Sequence, residues 1–337
     1  NNLDNSWANY FYNNLKKKYL TFKDYPNLNK KLIKKESYLQ NLKNNIDKIK
    51  PDLIFSTLND RNIDNLLKEY INVKKIIWIS YNINLNELKK IKKTYNYVIS
   101  SNKSVLLLTR KISFKSFKMS ISAPEFCKLQ KLHFQKRKNE IVFIGSLGSN
   151  FSDRLRTLLY LQGKFKITIR IRNLVEKFFL LNSINYYLIK FFPRFADYLY
   201  KKKILPFTNK LKFINKNEVF GVNMLNELKK FKFCLNIHSN FDKNNNINAR
   251  VYEALSSGCL LFNEKNNTMS KIFKDKKHVI YFNSERDLLN KLKHFKQNPE
   301  EGYKIAKNGN DLFRKRYQSS KRLKDFKKIL RSIFSGK

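Results

Sequence analysis

The chain has 337 residues, enough for two domains of ordinary size, and its 42% hydrophobic and 14% aromatic content argues against wholesale disorder. Eight Gly and six Pro exclude collagen-like or low-complexity material, and three scattered cysteines (Cys127, Cys234, Cys259) exclude a disulfide framework and fit a reducing compartment. Seventy Lys+Arg against 26 Asp+Glu give a net charge of +44, which suits a polyanionic partner, but Lys is spread along the whole length with abundant Asn and Ile, as AT-rich coding produces.

In chain order, Asn5 to Tyr19 has helical apolar spacing and Lys35 to Ile49 predicts a second helix. Strands follow at Leu53–Ser56, Ile76–Ser80 and Tyr97–Ser100, separated by helices at Asn62–Tyr70 and Leu85–Lys93. The pattern pauses near Pro124, and polar, basic Lys128–Lys138 reads as a linker. A second alternation has strands at Glu140–Ile144, Phe165–Ile171, Phe233–Ile237, Leu260–Phe262 and Ile280–Phe282. Its helices are Ser152–Gln162, with Ser152 as N-cap, a turn and helix over Val219–Lys230, and Arg250–Ser257, ended by Gly258; helices fill the rest. Strand–helix alternation predicts an α/β protein of two Rossmann-like, doubly wound parallel-sheet domains facing a cleft. The expected organisation is a first Rossmann-like domain over 1–130, a second over 131–315 with an insertion at 174–205, and a closing helix over 316–337. The chain begins Asn1-Asn2 without Met, so a segment upstream is expected.

The insertion is dense in aromatics, with Phe178, Phe179, Tyr187, Phe191 and Phe192, and ends near Lys201-Lys202-Lys203. It is too short and interrupted to span a bilayer. Two readings remain open: interfacial contact with an anionic membrane, or a helical hairpin packed on the domain. No signal peptide is visible and no run of about 20 apolar residues occurs. The expected location is cytoplasmic, with peripheral attachment to the inner face of the membrane as an option. Nucleic acid is disfavoured as a partner, because no helix-turn-helix, zinc finger, KH loop or RNP-like segment accompanies the charge.

Two segments have the form of an anion site at the carboxyl ends of strands. In Val142-Phe143-Ile144-Gly145-Ser146-Leu147-Gly148, a strand enters a Gly/Ser loop ahead of a helix carrying Arg154. Small residues allow backbone N–H groups to approach a phosphate, and Arg154 adds a bidentate donor. Such turns are also commonly structural. In Asn236-Ile237-His238-Ser239 through Asn248-Ala249-Arg250-Val251-Tyr252-Glu253, a strand and polar loop precede a helix on which Arg250 and Glu253 share a face. A surface ion pair of little energetic value is the plainer reading of those two.

Arg250-Val251-Tyr252-Glu253-Ala254-Leu255-Ser256-Ser257-Gly258-Cys259-Leu260-Leu261 resembles the "R-x-F/Y-E-A-x-A-x-G-x-x-L" signature of CgeB-like, group 1 glycosyltransferases with the GT-B fold. Phe231 to His238 resembles the preceding "sK-x-x-L-N-x-H" strand, Phe143-Ile144-Gly145-Ser146 with Arg154 the "F-x-G-s … R" opening, and Lys50 to Phe55 the "kPDlii" strand. Ala306 to Gly309, Tyr317 and Arg322 are similar to the closing "iA-x-x-G" and "y-x-x-R".

The resemblance implies transfer of a sugar from a nucleotide-diphosphate-sugar donor to a hydroxyl of a glycan, lipid-linked or protein acceptor, of the hexosyltransferase kind that builds cell-surface glycans, with 1–130 as the acceptor-side domain, its first strand expected upstream of Asn1, 131–315 as the nucleotide-sugar-binding domain and the helix over 316–337 crossing back to the first. Glu253 would hold the ribose hydroxyls. Arg250, Arg154 and the Gly145-Ser146 amides would face the diphosphate, His238 would sit near sugar or phosphates, and Ser257 falls within the same motif. It implies no cofactor and no metal, in line with the absence of a DxD motif. No catalytic residue is assigned: the first half has no His, and Asp52, Asp60 and Glu87 are among the few carboxylates there. That leans slightly toward a retaining mechanism, or toward a base upstream of Asn1. The other reading is a non-catalytic polyanion-binding or membrane-surface protein on a degenerate GT-B scaffold.

Overall fold

The computed structural model describes residues 15, 35–57, 60–146, 151–172, 191–192, 195, 198, 214–215, 219, 221–238 and 247–335. The expected Asn5–Tyr19 helix and most of the 174–205 insertion lie outside these residues. The chain divides into one unit of Ala8–Ile121 with Arg322–Lys337 and another of Ser122–Lys321. The divisions fall at 121/122 and 321/322, against 130/131 and 315/316 in the sequence reading.

In the first unit α1 (Lys35–Ile49), β1 (Leu53–Ser56), α2 (Arg61–Lys68), β2 (Lys74–Ile79), α3 (Leu85–Lys92), β3 (Tyr97–Ser100), α4 (Lys103–Lys111) and β4 (Ser116–Lys118) alternate. The strands form a parallel sheet in the order β1-β2-β3-β4. A central strand of such a sheet is covered on both faces, so it reads as a continuous apolar run, as Ile76-Ile77-Trp78-Ile79 does. Helix starts are set by side-chain acceptors. Asp60 accepts from the Asn62 and Ile63 amides, Asn84 forms a capping box with Glu87, and Asn102 accepts from the Ser104 amide. Ile63, Leu67, Ile77, Ile79, Leu88, Ile91 and Val98 form the core beneath them. The last helix, α12 (Ser319–Phe334), supplies Phe326, whose ring lies 5.1 Å from that of Phe55, and the Ile333 carbonyl, which accepts from Lys74 Nζ at 2.8 Å.

In the second unit α5 (Lys131–Gln135), β5 (Lys138–Ser146), α6 (Phe151–Leu161), β6 (Ile167–Arg172), β7 (Ile214–Asn215), α7 (Gly221–Lys229) and β8 (Phe231–Asn236) are followed by α8 (Ala249–Ser256) and β9 (Leu260–Glu264). Then come α9 (Asn267–Ser270), β10 (Ile280–Phe282), α10 (Glu285–Gln297) and α11 (Pro299–Arg316). The sheet is parallel in the order β10-β9-β8-β5-β6-β7. Its core gathers Phe143, Leu158, Phe233, Leu235, Phe262, Phe282, Leu292 and Phe295.

Two local expectations are corrected here. Lys128–Lys138 is not a linker: Leu129 and Phe134 are buried, and Lys138 opens β5. Its basic residues hid this, because Arg137 is buried too, donating to the Gly258 carbonyl at 2.9 Å with its guanidinium over the Phe134 ring. Ser152 is not an N-cap, since α6 already includes Phe151.

Helix α11 packs on α8. Asn310 on α11 is fully buried; its amide donates to the carbonyls of Cys127 and Leu255 and accepts from the Leu129 N–H. Immediately before it, Gly309 lies so close to its neighbours that an added Cβ would sit 2.4 Å from the His278 carbonyl oxygen and 2.8 Å from Leu255.

Candidate donor-binding site

The chain of the second unit passes from β5 outward to β6 and β7, then returns to β8 on the other side of β5. β5 and β8 therefore flank the topological switch point, where an open α/β sheet leaves a crevice at its carboxyl edge. β5 ends in Gly145-Ser146 and β8 in Asn236, so the two predicted segments meet at that edge. The register pairs Val142 with Cys234, which carries Gly145 to the level of Ile237. A Cβ on Gly145 would come 3.3 Å from the Phe143 ring, which would have to give way by a few tenths of an ångström.

Arg154, in the first turn of α6, donates from Nε to the Ile237 carbonyl at 3.2 Å. That bond ties the helix after β5 to the chain leaving β8. His238 is 1% exposed, with Nε2 at 3.5 Å from Asn236 Nδ2. Helix α8 opens on Asn248, whose side chain accepts from the Val251 N–H, so the amides of its first turn point toward the same edge. Arg250 and Glu253 pair at 2.8 Å and are both largely buried, and Arg250 Nη1 also meets Met224 Sδ.

The structure thus brings together Gly145, Arg154, His238, Arg250 and Glu253 in one unit, with the backbone of Ser146 ending β5. Ser257 stands apart. It follows α8 at the helix's opposite end, fully buried, and donates to the Leu225 carbonyl at 3.3 Å. Phe178, Phe179 and Tyr187 lie outside the described residues, whereas Phe191 and Phe192 are exposed.

Sequence reading missed the polar groups that organise this edge. Asn263, at the end of β9, is fully buried and accepts from Asn236 Nδ2 at 2.6 Å, and Asn236 in turn accepts from Asn248 Nδ2 at 3.0 Å. Asn248 had a readable signal as an N-cap before an apolar helix; Asn263 had none. A small cavity beside them is lined by Arg156, Ile237, Glu264, Phe282 and Glu285, with Arg156 and Glu285 paired at 2.6 Å. Among the described residues no cluster of three or more His, Cys, Asp or Glu side chains could hold a metal ion, and no helix is long and apolar enough to cross a membrane.

Residues 197–328 match the family model described as glycosyl transferase-like. No curated protein sequence matches the chain. Among solved structures, sucrose-phosphate synthase from Thermosynechococcus elongatus is similar at TM-score 0.59 and 10% identity, over 90% of this chain and 78% of that one. HepE from Anabaena, in complex with UDP and glucose, is similar at TM-score 0.58 and 9% identity, over 88% and 81%. A glycosyltransferase from Rickettsia africae is similar at TM-score 0.55 and 12% identity, over 94% and 85%. At these identities the likeness speaks for the fold, which is of GT-B type, and the glycosyl transferase-like match covers most of the second unit but less than half of the chain.

Proposed function

We propose that the protein transfers a hexose from a nucleotide-diphosphate-sugar donor to a hydroxyl of a glycan, lipid-linked or protein acceptor in building a cell-surface glycan, without a bound metal. The reading is carried by the convergence at the switch point: two helix N-termini, Arg154, Arg250 and His238 lie at the carboxyl edge flanked by β5 and β8. Positive helix ends and fixed guanidinium groups stabilise a departing diphosphate as a divalent cation would. Glu253 keeps one oxygen on Arg250, and a carboxylate with two oxygens has acceptor capacity left for a ribose diol. The UDP and glucose of the HepE complex are a precedent for such a donor on this fold.

Calorimetric titration of UDP, GDP and dTDP, each with and without sugar, into the wild type, Arg250→Ala and Glu253→Ala tests this. One nucleotide family should bind the wild type, and each substitution should weaken it at least tenfold, the loss of one charge-assisted hydrogen bond. Equal affinity in all three proteins would remove Arg250 and Glu253 from the donor site.

A membrane-surface element is favoured by one specific observation. Phe191, Phe195 and Tyr198 are helical with Phe192 between them, and all four are between 52% and 63% exposed. With a net charge of +44, that face suits an anionic bilayer carrying a lipid-linked acceptor. The protein should float with vesicles containing anionic lipid and not with neutral ones, and Phe191→Ser with Phe192→Ser should abolish flotation. Flotation unchanged by the double substitution would assign membrane contact elsewhere or to charge alone.

A further inference from the structure

Three asparagine side chains run in line across the carboxyl edge of the second sheet, and each end of the line is fixed by a backbone group of known polarity. At one end Asn248 accepts from the Val251 N–H, which can only donate. At the other, Asn263 Nδ2 donates to the Glu264 carbonyl, which can only accept. Working inward, Asn248 must present its NH2 to Asn236 Oδ1 (3.0 Å), and Asn263 must present its oxygen to Asn236 Nδ2 (2.6 Å). The two ends impose the same orientation on Asn236, so no amide in the line can turn over without breaking two hydrogen bonds. Asn236 and Asn263 are buried at 4% and 0% exposure, where such breakage leaves polar groups without water.

An amide nitrogen carries two hydrogens. One of those on Asn236 goes to Asn263, and His238 Nε2 stands on the same nitrogen at 3.5 Å. A nitrogen that faces an N–H donor must accept, so the ring proton belongs on Nδ1. We propose that Asn236 is a positioning residue: the asparagine line holds His238 as the neutral Nδ1–H tautomer, while the same line pins the N-cap of α8 and so sets Arg250 and Glu253 relative to it. His238 then acts as an uncharged hydrogen-bond donor through Nδ1, not as an imidazolium and not as a proton acceptor at Nε2. Its bearing on the sugar donor rests on the functional reading above; the tautomer does not.

Multiple-bond 1H–15N correlation spectra of the imidazole rings near neutral pH read the tautomer directly, with the His238 signals assigned by their loss in His238→Gln. The expected wild-type result is a protonated Nδ1 and a bare Nε2. An Nε2–H tautomer, or imidazolium as the major form, overturns the proposal, and the wild-type spectrum alone decides this. Asn236→Asp keeps the shape but replaces the donor by an acceptor, so the proton should move to Nε2; a folded Asn236→Asp protein with the wild-type pattern also overturns it. In the same samples, affinity for whichever of UDP, GDP or dTDP binds should fall about tenfold in Asn236→Asp. If the tautomers behave as stated and no nucleoside diphosphate binds the wild type, the donor reading fails and the asparagine line stands.

Discussion

Two glycines on α11 give opposite expectations for the same substitution. Gly302 and Gly309 both lie inside this helix, where replacing Gly by Ala gains about 0.5–1 kcal/mol of backbone entropy. At Gly302 the new Cβ would meet Leu260 at 3.4 Å, ordinary contact with a side chain, so the gain is kept. At Gly309 it would lie 2.4 Å from a backbone oxygen of His278, which cannot swing aside, and 2.8 Å from Leu255. Overpacking of a closed core costs about 1–3 kcal/mol, and more when backbone must shift. The net loss for Gly309→Ala is therefore about 2 kcal/mol. For a unit the size of Ser122–Lys321, 1 kcal/mol moves the midpoint by about 2–4 °C. Differential scanning calorimetry should thus show Gly309→Ala melting about 4–8 °C below the wild type and Gly302→Ala about 1–3 °C above it. A Gly309→Ala protein as stable as the wild type, or the reverse order of the two variants, would refute the argument that close approach to His278 and Leu255 dictates Gly309.

Other expectations follow from buried charge and buried thiols. Glu227 is nearly buried between Arg170 and Lys230; burial works against its charge, but hydrogen bonds from both cations override it and hold the carboxyl below the usual range. A depressed folded-state value means the stabilisation is present above the unfolded-state value and is lost as pH falls through the folded one. Acid denaturation of the wild type should therefore steepen below about pH 4.5, the ordinary glutamate range, and Glu227→Gln should flatten that limb. Arg170→Met should cost about 3 kcal/mol in urea denaturation, because it leaves a buried carboxylate short of a partner. Burial raises the Cys259 thiol to about 12, Cys234 well above its ordinary value, and Cys127 less far. Ellman's reagent near pH 8 should leave Cys234 and Cys259 unmodified in the native protein and titrate all three thiols in guanidinium; rapid native labelling of Cys259 would contradict its burial.

Most of the architecture was legible because the two periodicities are clean. Ile76 to Ile79 can only be a doubly covered strand, and Lys35–Ile49 and Leu53–Ser56 carry the bounds read from their residues. What escaped was short or disguised. β4 is three residues long, α4 follows β3 with only two residues between, and Lys128–Lys138 hides Leu129 and Phe134 among lysines whose charges are turned outward. At the candidate site, motif spacing singled out Gly145, Arg154, His238, Arg250 and Glu253 as candidates, because strand ends and helix starts leave patterns. It overreached at Ser257, where helical phase and distance along α8 put the hydroxyl into the core. It was silent on Asn263, since a single buried amide after an apolar strand looks like any turn residue until its partners from two other elements are in view.

Because the first unit is made of Ala8–Ile121 together with Arg322–Lys337, its sheet is synthesised well before the helix that completes it. Phe55 waits for Phe326 and Lys74 for Ile333 while about 260 to 270 intervening residues are translated, tens of seconds at about 5–20 residues per second. During that interval the Ser122–Lys321 stretch of the second unit can close while the four-stranded sheet stands without its last helix, its Phe55 face open. Ribosome-bound chains halted shortly before Arg322 should therefore be the ones that engage holdase chaperones most strongly, through the first unit and not the second.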